Sequence, residues 1–138
     1  MREEKRIKAF IDTNILIYLF SEDEKDKRVK AGEILNECYP IISTQVIREF
    51  ANVFMSKKKN SGLETMAKIN DIITTIRFEY EKIEHIQKAI YIKERYKFSF
   101  YDSLIVATAI KADCEVIYSE DMQDGQEVEG IKIVNPFA

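Results

Sequence analysis

Apolar positions along this chain switch between two spacings, and strands and helices are predicted to alternate accordingly. Ala9, Phe10 and Ile11 form a short unbroken apolar run, the pattern of a buried strand. Ile15, Leu16, Leu19 and Phe20 then recur at helical spacing. The charged run from Ser21 to Arg28 is a solvated connection. It leads to a second helix with Val29, Ala31, Ile34, Leu35 and Cys38 on its buried side, and Pro40 stops that helix. Ile41, Ile42 and Ser43 read as a second buried strand. Thr44 is expected to cap a third helix whose inward residues are Val46, Ile47, Phe50, Ala51, Val53 and Phe54. Lys57 to Gly62 is a basic loop ending in the breaker Asn60-Ser61-Gly62.

A fourth helix carries Met66, Ile69, Ile72, Ile73 and Ile76. Alternation from Phe78 to Ile83 predicts a short edge strand, and a fifth helix follows from Glu84 to Tyr96. The stretch from Phe98 to Ile110 predicts a central, strongly apolar helix rich in small residues, with Ser99 and Asp102 in a capping pattern. Val116 to Tyr118 and Ile131 to Val134 are the last strands, separated by an acidic loop containing glycine. This alternation predicts an α/β fold, a single-domain α/β/α sandwich with a mostly parallel central sheet. Between residues 44 and 77 two helices come close together without a convincing strand.

Composition narrows the class. The 138 residues suit one domain, residues 1–138, with a sizeable core. Hydrophobic content of 46% and charged content of 33% are those of a soluble globular protein. A net charge of −3 means that any nucleic acid must be held by a local basic patch. Cys38 and Cys114 form no metal or redox motif and read as reduced, buried thiols, which points to the cytoplasm. The mixed-charge opening lacks the features of a leader, and no apolar run approaches the roughly 18 residues of a membrane span.

The chemistry lies in carboxylates at unusual places. Asp12 ends the first strand, Glu49 lies in the helix after the second, and Asp102 opens the most apolar helix. Glu120, Asp121 and Asp124 follow the fourth strand. Taken singly, these acids are caps, turn residues or a solvated helix residue. Taken together, most leave the carboxyl ends of strands, the edge where open α/β sheets bind ligands. Carboxylates gathered in one cleft repel each other and call for a divalent cation, and hard oxygen ligands select Mg²⁺ or Mn²⁺. The one histidine, His85, sits in a charged helix and is expected at the surface, so a two-histidine ribonuclease mechanism is excluded. No Ser-His-Asp set and no Gly-rich phosphate loop is present, and Asp12-Thr13-Asn14 lacks the second aspartate of a phosphoaspartate signature.

Four segments carry a resemblance: Phe10 to Tyr18, Ile42 to Phe50, Ser99 to Ala109, and Tyr118 to Gly125. In this order they are similar to the four acidic motifs of PIN-domain nucleases. The resemblance implies an Mg²⁺- or Mn²⁺-dependent ribonuclease with metal ligands at Asp12, Glu49, Asp102 and Asp121, and polar helpers at Ser119 and Asn14. Asp121 takes the fourth place because it stands two residues after Ser119, the spacing of the family. The size resembles VapC toxins of toxin–antitoxin pairs, which implies a homodimer silenced by a small antitoxin protein. An RNA substrate would find backbone contacts at Arg48, Lys57, Lys58, Lys59 or Arg95 and stacking partners at Phe98 or Tyr101. The alternatives are a catalytically silent PIN-like module of an RNA-processing assembly and a receiver-like phosphoacceptor domain.

Overall fold

The computed structural model describes residues 6–138, so the opening on which the absence of a leader was judged lies outside the described residues. Six strands form one sheet in the order β3-β2-β1-β4-β6-β5. They are β1 (Lys8–Ile11), β2 (Tyr39–Ser43), β3 (Arg77–Glu79), β4 (Val116–Tyr118), β5 (Glu127–Val128) and β6 (Ile131–Val134). Every pairing is parallel except that of β5 with β6. The helices are α1 (Thr13–Leu19), α2 (Lys25–Glu37), α3 (Thr44–Ser56), α4 (Gly62–Thr75), α5 (Ile83–Tyr96) and α6 (Phe100–Lys111).

The chain moves from β1 outward to β2 and β3, then returns across the sheet to β4 on the other side of β1. Right-handed crossovers therefore put α1 to α4 on one face and α5 with α6 on the other. The contacts agree: α1 packs on α2 and α3, α3 on α4, and α5 on α6. Strand order reverses between β1 and β4, which makes the crevice at their carboxyl ends the topological switch point.

The central strands are buried on both sides, so they read as continuous apolar runs. Phe10, Ile11, Ile42, Ile117 and Ile133 are fully buried, together with Phe50 of α3. Helix α6 is buried from Ser103 to Ala109, covered by the sheet on one side and by α5 on the other. That covering explains why its sequence is apolar all round.

Several expectations need correction. Pro40 lies inside β2 and does not merely end a helix. It is tolerated because the Tyr39 N–H already donates to Ile7 on the β1 side, so position 40 faces the β3 side, where pairing begins only at Ile41. Ser43, not Thr44, caps α3 and accepts from the Val46 N–H. The edge strand is Arg77–Glu79 and stops before Tyr80, because Ile83 already opens α5. Val29, expected inside, is 61% exposed. His85, expected at the surface, is buried, and its Nδ1 accepts the Lys82 N–H at 3.0 Å in the first turn of α5. Within the acidic loop the chain forms β5, which turns back into β6 through Glu129 and Gly130, both at positive φ. This left-handed pair suits the twist of a tight hairpin.

Both cysteines are buried and unpaired. Burial pushes the Cys38 thiol up to about 11 and the Cys114 thiol up to about 12, so neither offers a thiolate near neutral pH. No helix among the described residues is long and apolar enough to cross a membrane.

Candidate active site

Asp12 is the first residue past β1, and its backbone N–H donates to the Tyr118 carbonyl of β4 at 3.0 Å. The residue is thus fixed at the switch point by the sheet itself. Its side chain is buried, and both oxygens are engaged. Oδ1 accepts the Thr13 N–H at 2.7 Å, and Oδ2 accepts the Ser119 hydroxyl at 2.7 Å. Burial pushes its carboxyl up to about 6, with smaller upward pushes from the charges of Glu49 and Asp102, against the lowering effect of the two hydrogen bonds.

Ser119 is a fully buried hub at the end of β4. Its hydroxyl donates to Asp12 and accepts from the Asp121 and Met122 N–H groups, each at 3.2 Å. One donor and two acceptor sites are all a hydroxyl has, and all are used. Asp121 is held from another direction: Asn14 Nδ2 donates to its Oδ2 at 2.6 Å. Glu49, in the second turn of α3, accepts the Thr13 hydroxyl at 2.7 Å. Asp102 occupies the first turn of α6, where Ser99 Oγ accepts its backbone N–H at 3.1 Å. Burial, and then the charge of Asp121, raises the Asp102 carboxyl above its ordinary value, against a lowering bond from Ser99.

The four acids and Thr13 line one cleft of about 180 Å³, with Asn14, Gln45 and Tyr101 at its wall and Ile17, Val53 and Ile105 as its apolar part, while Ser119 stands behind Asp12 and does not line it. Asp12, Glu49, Asp102 and Asp121 all line it, and among the described residues no lysine, arginine or histidine does. Of the three acids after β4, Asp121 alone lines it. Glu120 turns to Lys27 and Tyr18, and Asp124 accepts the Asn135 N–H at 2.8 Å. Among the described residues, no three acid, histidine or cysteine side chains stand close enough together to cage an ion as they are. The chemistry of the donor set nonetheless fits a hard divalent cation: the cleft offers carboxylate, amide and hydroxyl oxygens and no competing positive charge.

Two cleft residues were not legible beforehand. Thr13 orients Glu49 across 36 positions, and its only signal is adjacency to Asp12. Gln45 stands one turn before Glu49 on α3. Its Nε2 donates to the Tyr101 carbonyl at 3.4 Å, its backbone N–H donates to Glu81, and its buried Oε1 has no partner among the described residues. Of the residues expected to meet an RNA backbone, Arg48 pairs with Glu81, Lys58 with Asp23 and Arg95 with Glu129. Tyr101 is 61% exposed at the cleft, whereas Phe98 packs against the core.

Known structures share this architecture. A toxin–antitoxin complex from Klebsiella pneumoniae superposes with a TM-score of 0.72 at 24% identity, covering 93% of this chain and 97% of that one. VapC20 from Mycobacterium tuberculosis, described as a Sarcin-Ricin loop cleaving toxin, gives 0.66 at 18% identity, covering 82% and 89%. VapBC2 from Rickettsia felis, bound to promoter DNA, gives 0.67 at 14% identity, covering 92% and 97%. No curated protein matches the sequence. The family model described as PIN domain matches residues 9–124, most of the chain and a span that holds Asp12, Glu49, Asp102 and Asp121, and the chain therefore belongs to the PIN domain family.

Proposed function

We propose that this chain is a divalent-metal-dependent endoribonuclease, one nuclease domain over its 138 residues, acting as the toxin of a toxin–antitoxin pair. The observation that carries the reading is the cleft at the β1/β4 switch point, lined by four carboxylates and, among the described residues, no cationic side chain. Asp12, Glu49, Asp102 and Asp121 would hold Mg²⁺ or Mn²⁺. Such an ion, when bound, favours hydroxide at neutral pH and offsets charge on an attacked phosphate. The chain's own part is orientation. Ser119 and the Thr13 N–H fix both oxygens of Asp12, the Thr13 hydroxyl fixes Glu49, and Asn14 fixes Asp121. Water attacking a phosphodiester in this setting needs no 2′-hydroxyl nucleophile and leaves a 5′-phosphate.

The structural neighbours include toxin–antitoxin assemblies, which supports a small antitoxin as partner. The exposed Val29 on α2 supports a homodimer in which a second copy covers that helix. The buried, unpaired thiols support the cytoplasm as its compartment. The test is incubation of pure protein with several RNAs, with Mn²⁺ or with EDTA. Cleavage with Mn²⁺ that stops in EDTA and in Asp12→Asn is expected. Cleavage that persists unchanged in both sinks the mechanism. Binding of RNA with no cleavage in Mn²⁺ would favour the silent module. A monomer mass by light scattering at tens of micromolar would remove the dimer.

A further inference from the structure

Outside the cleft, four parts of the chain meet around the Lys27 ammonium. Glu120 lies in the loop leaving β4, between Ser119 and Asp121. Its Oε1 accepts the Tyr18 hydroxyl at 2.5 Å, and its Oε2 accepts from Lys27 Nζ at 2.6 Å. The same Nζ donates to the Tyr18 hydroxyl at 3.1 Å. It also lies 4.6 Å from the Tyr18 ring centroid and 5.4 Å from that of Phe137. The Tyr18 and Phe137 rings meet edge to face at 5.2 Å. Tyr18 comes from α1, Lys27 from the first turn of α2, and Phe137 from the segment after β6. None of these residues lines the cleft.

We propose that Tyr18, Lys27 and Glu120 form a positioning clamp, which sets the β4 exit loop so that Ser119 reaches Asp12 and Asp121 reaches the cleft. The inference rests on the reading of the cleft as a metal-dependent nuclease centre. Glu120 and Asp121 are consecutive, yet one engages Lys27 and the other Asn14. Holding the first on its side therefore holds the second on the other. A carboxylate gripped at both oxygens by donors from two helices has little rotational freedom. Its pairing also keeps a fifth negative charge out of a cleft that already gathers four. The Lys27 and Glu120 side chains keep 33% and 22% of their exposure, so the pair contributes modestly to stability, and its effect should appear in the site.

The experiment compares Lys27→Met, Glu120→Gln and Tyr18→Phe with the conservative Lys27→Arg. Asp124→Ala serves as a control that loosens the same loop by removing the acceptor of the Asn135 N–H. Mn²⁺ alone is titrated calorimetrically into each protein, kcat and KM are measured on an RNA oligonucleotide, and melting is followed in EDTA. Lys27→Met and Glu120→Gln are expected to weaken Mn²⁺ binding about tenfold and to lower kcat by a similar factor with KM little changed. Tyr18→Phe should do less, and Lys27→Arg should recover most of the loss. Asp124→Ala should lower the midpoint without touching Mn²⁺ affinity. Wild-type Mn²⁺ affinity and kcat in folded Lys27→Met and Glu120→Gln would overturn the clamp while leaving the nuclease reading intact. Losses in Asp124→Ala as large as in the clamp variants would overturn it too, by showing general loosening. A wild type that neither binds Mn²⁺ nor cuts RNA would overturn both.

Discussion

Asp12 and Asp121 belong to one cleft but are held in opposite ways. Asp12 is buried at a strand end, with both oxygens bonded and its backbone tied into the sheet. Asp121 sits on an exposed loop and takes one side-chain bond, from Asn14. The buried acid is fixed in place before any ligand arrives, and desolvation destabilises its charged form. The exposed acid avoids that cost, but its direction must come from neighbours on other elements. A cleft built this way gains a rigid anchor and an adjustable rim.

The sharpest way to break the comparison is Asp12→Asn. Cleavage should fall to background, measured as initial rate on RNA with Mn²⁺. The metal-free protein should become more stable. A carboxyl raised from 3.8 to about 6 on folding contributes stability that is full below pH 4 and lost as pH rises through 6. At pH 7 the wild type therefore carries a cost of about 3 kcal/mol from the shift, part of which Asn would relieve. Melting in EDTA from pH 4 to pH 8 should show the wild type losing stability between pH 4 and about 6 and the variant losing less over the same range, with Asp102 supplying the remainder. Parallel pH profiles would show that burial of Asp12 costs nothing.

Asp102→Asn tests an acid between the two extremes. Its carboxyl is raised chiefly by burial, so the metal-free midpoint should rise, by less than in Asp12→Asn. Cleavage should be lost, and the upward shift of the midpoint with millimolar Mg²⁺ should shrink by mass action. Equal Mg²⁺ shifts in variant and wild type would take Asp102 out of the metal site.

Ser119→Ala attacks the anchor's support. It strips one donor from Asp12 and one acceptor from two backbone N–H groups. Stability in urea should fall by about 2 kcal/mol, and kcat by roughly 10- to 100-fold. Asn14→Ala loosens only the rim. Stability should stay within about 0.5 kcal/mol, while Mn²⁺ binding by calorimetry weakens about tenfold. If Asn14→Ala proves as destabilising as Ser119→Ala, the contrast between anchor and rim fails.

The sequence by itself determined what depends on near neighbours along the chain. The run at Ala9 to Ile11, the spacing in α3 and the all-round apolar α6 follow from periods of two and 3.6, which any reader of the chain can count. The alternation of those elements was enough for the parallel sheet and for placing Asp12 at a strand end. Tertiary structure decided what depends on partners far away in sequence. Glu120, Asp121 and Asp124 are equivalent acids in the sequence. They part only because Lys27, Asn14 and Asn135 reach them from other elements. The same holds for Val29 left outside, His85 turned in to an N–H in its first helical turn, and Gln45 tied to Tyr101 across 56 positions. Periodicity says which face of an element is apolar. Only packing of the elements says how much of that face is covered and which polar groups are left to find each other.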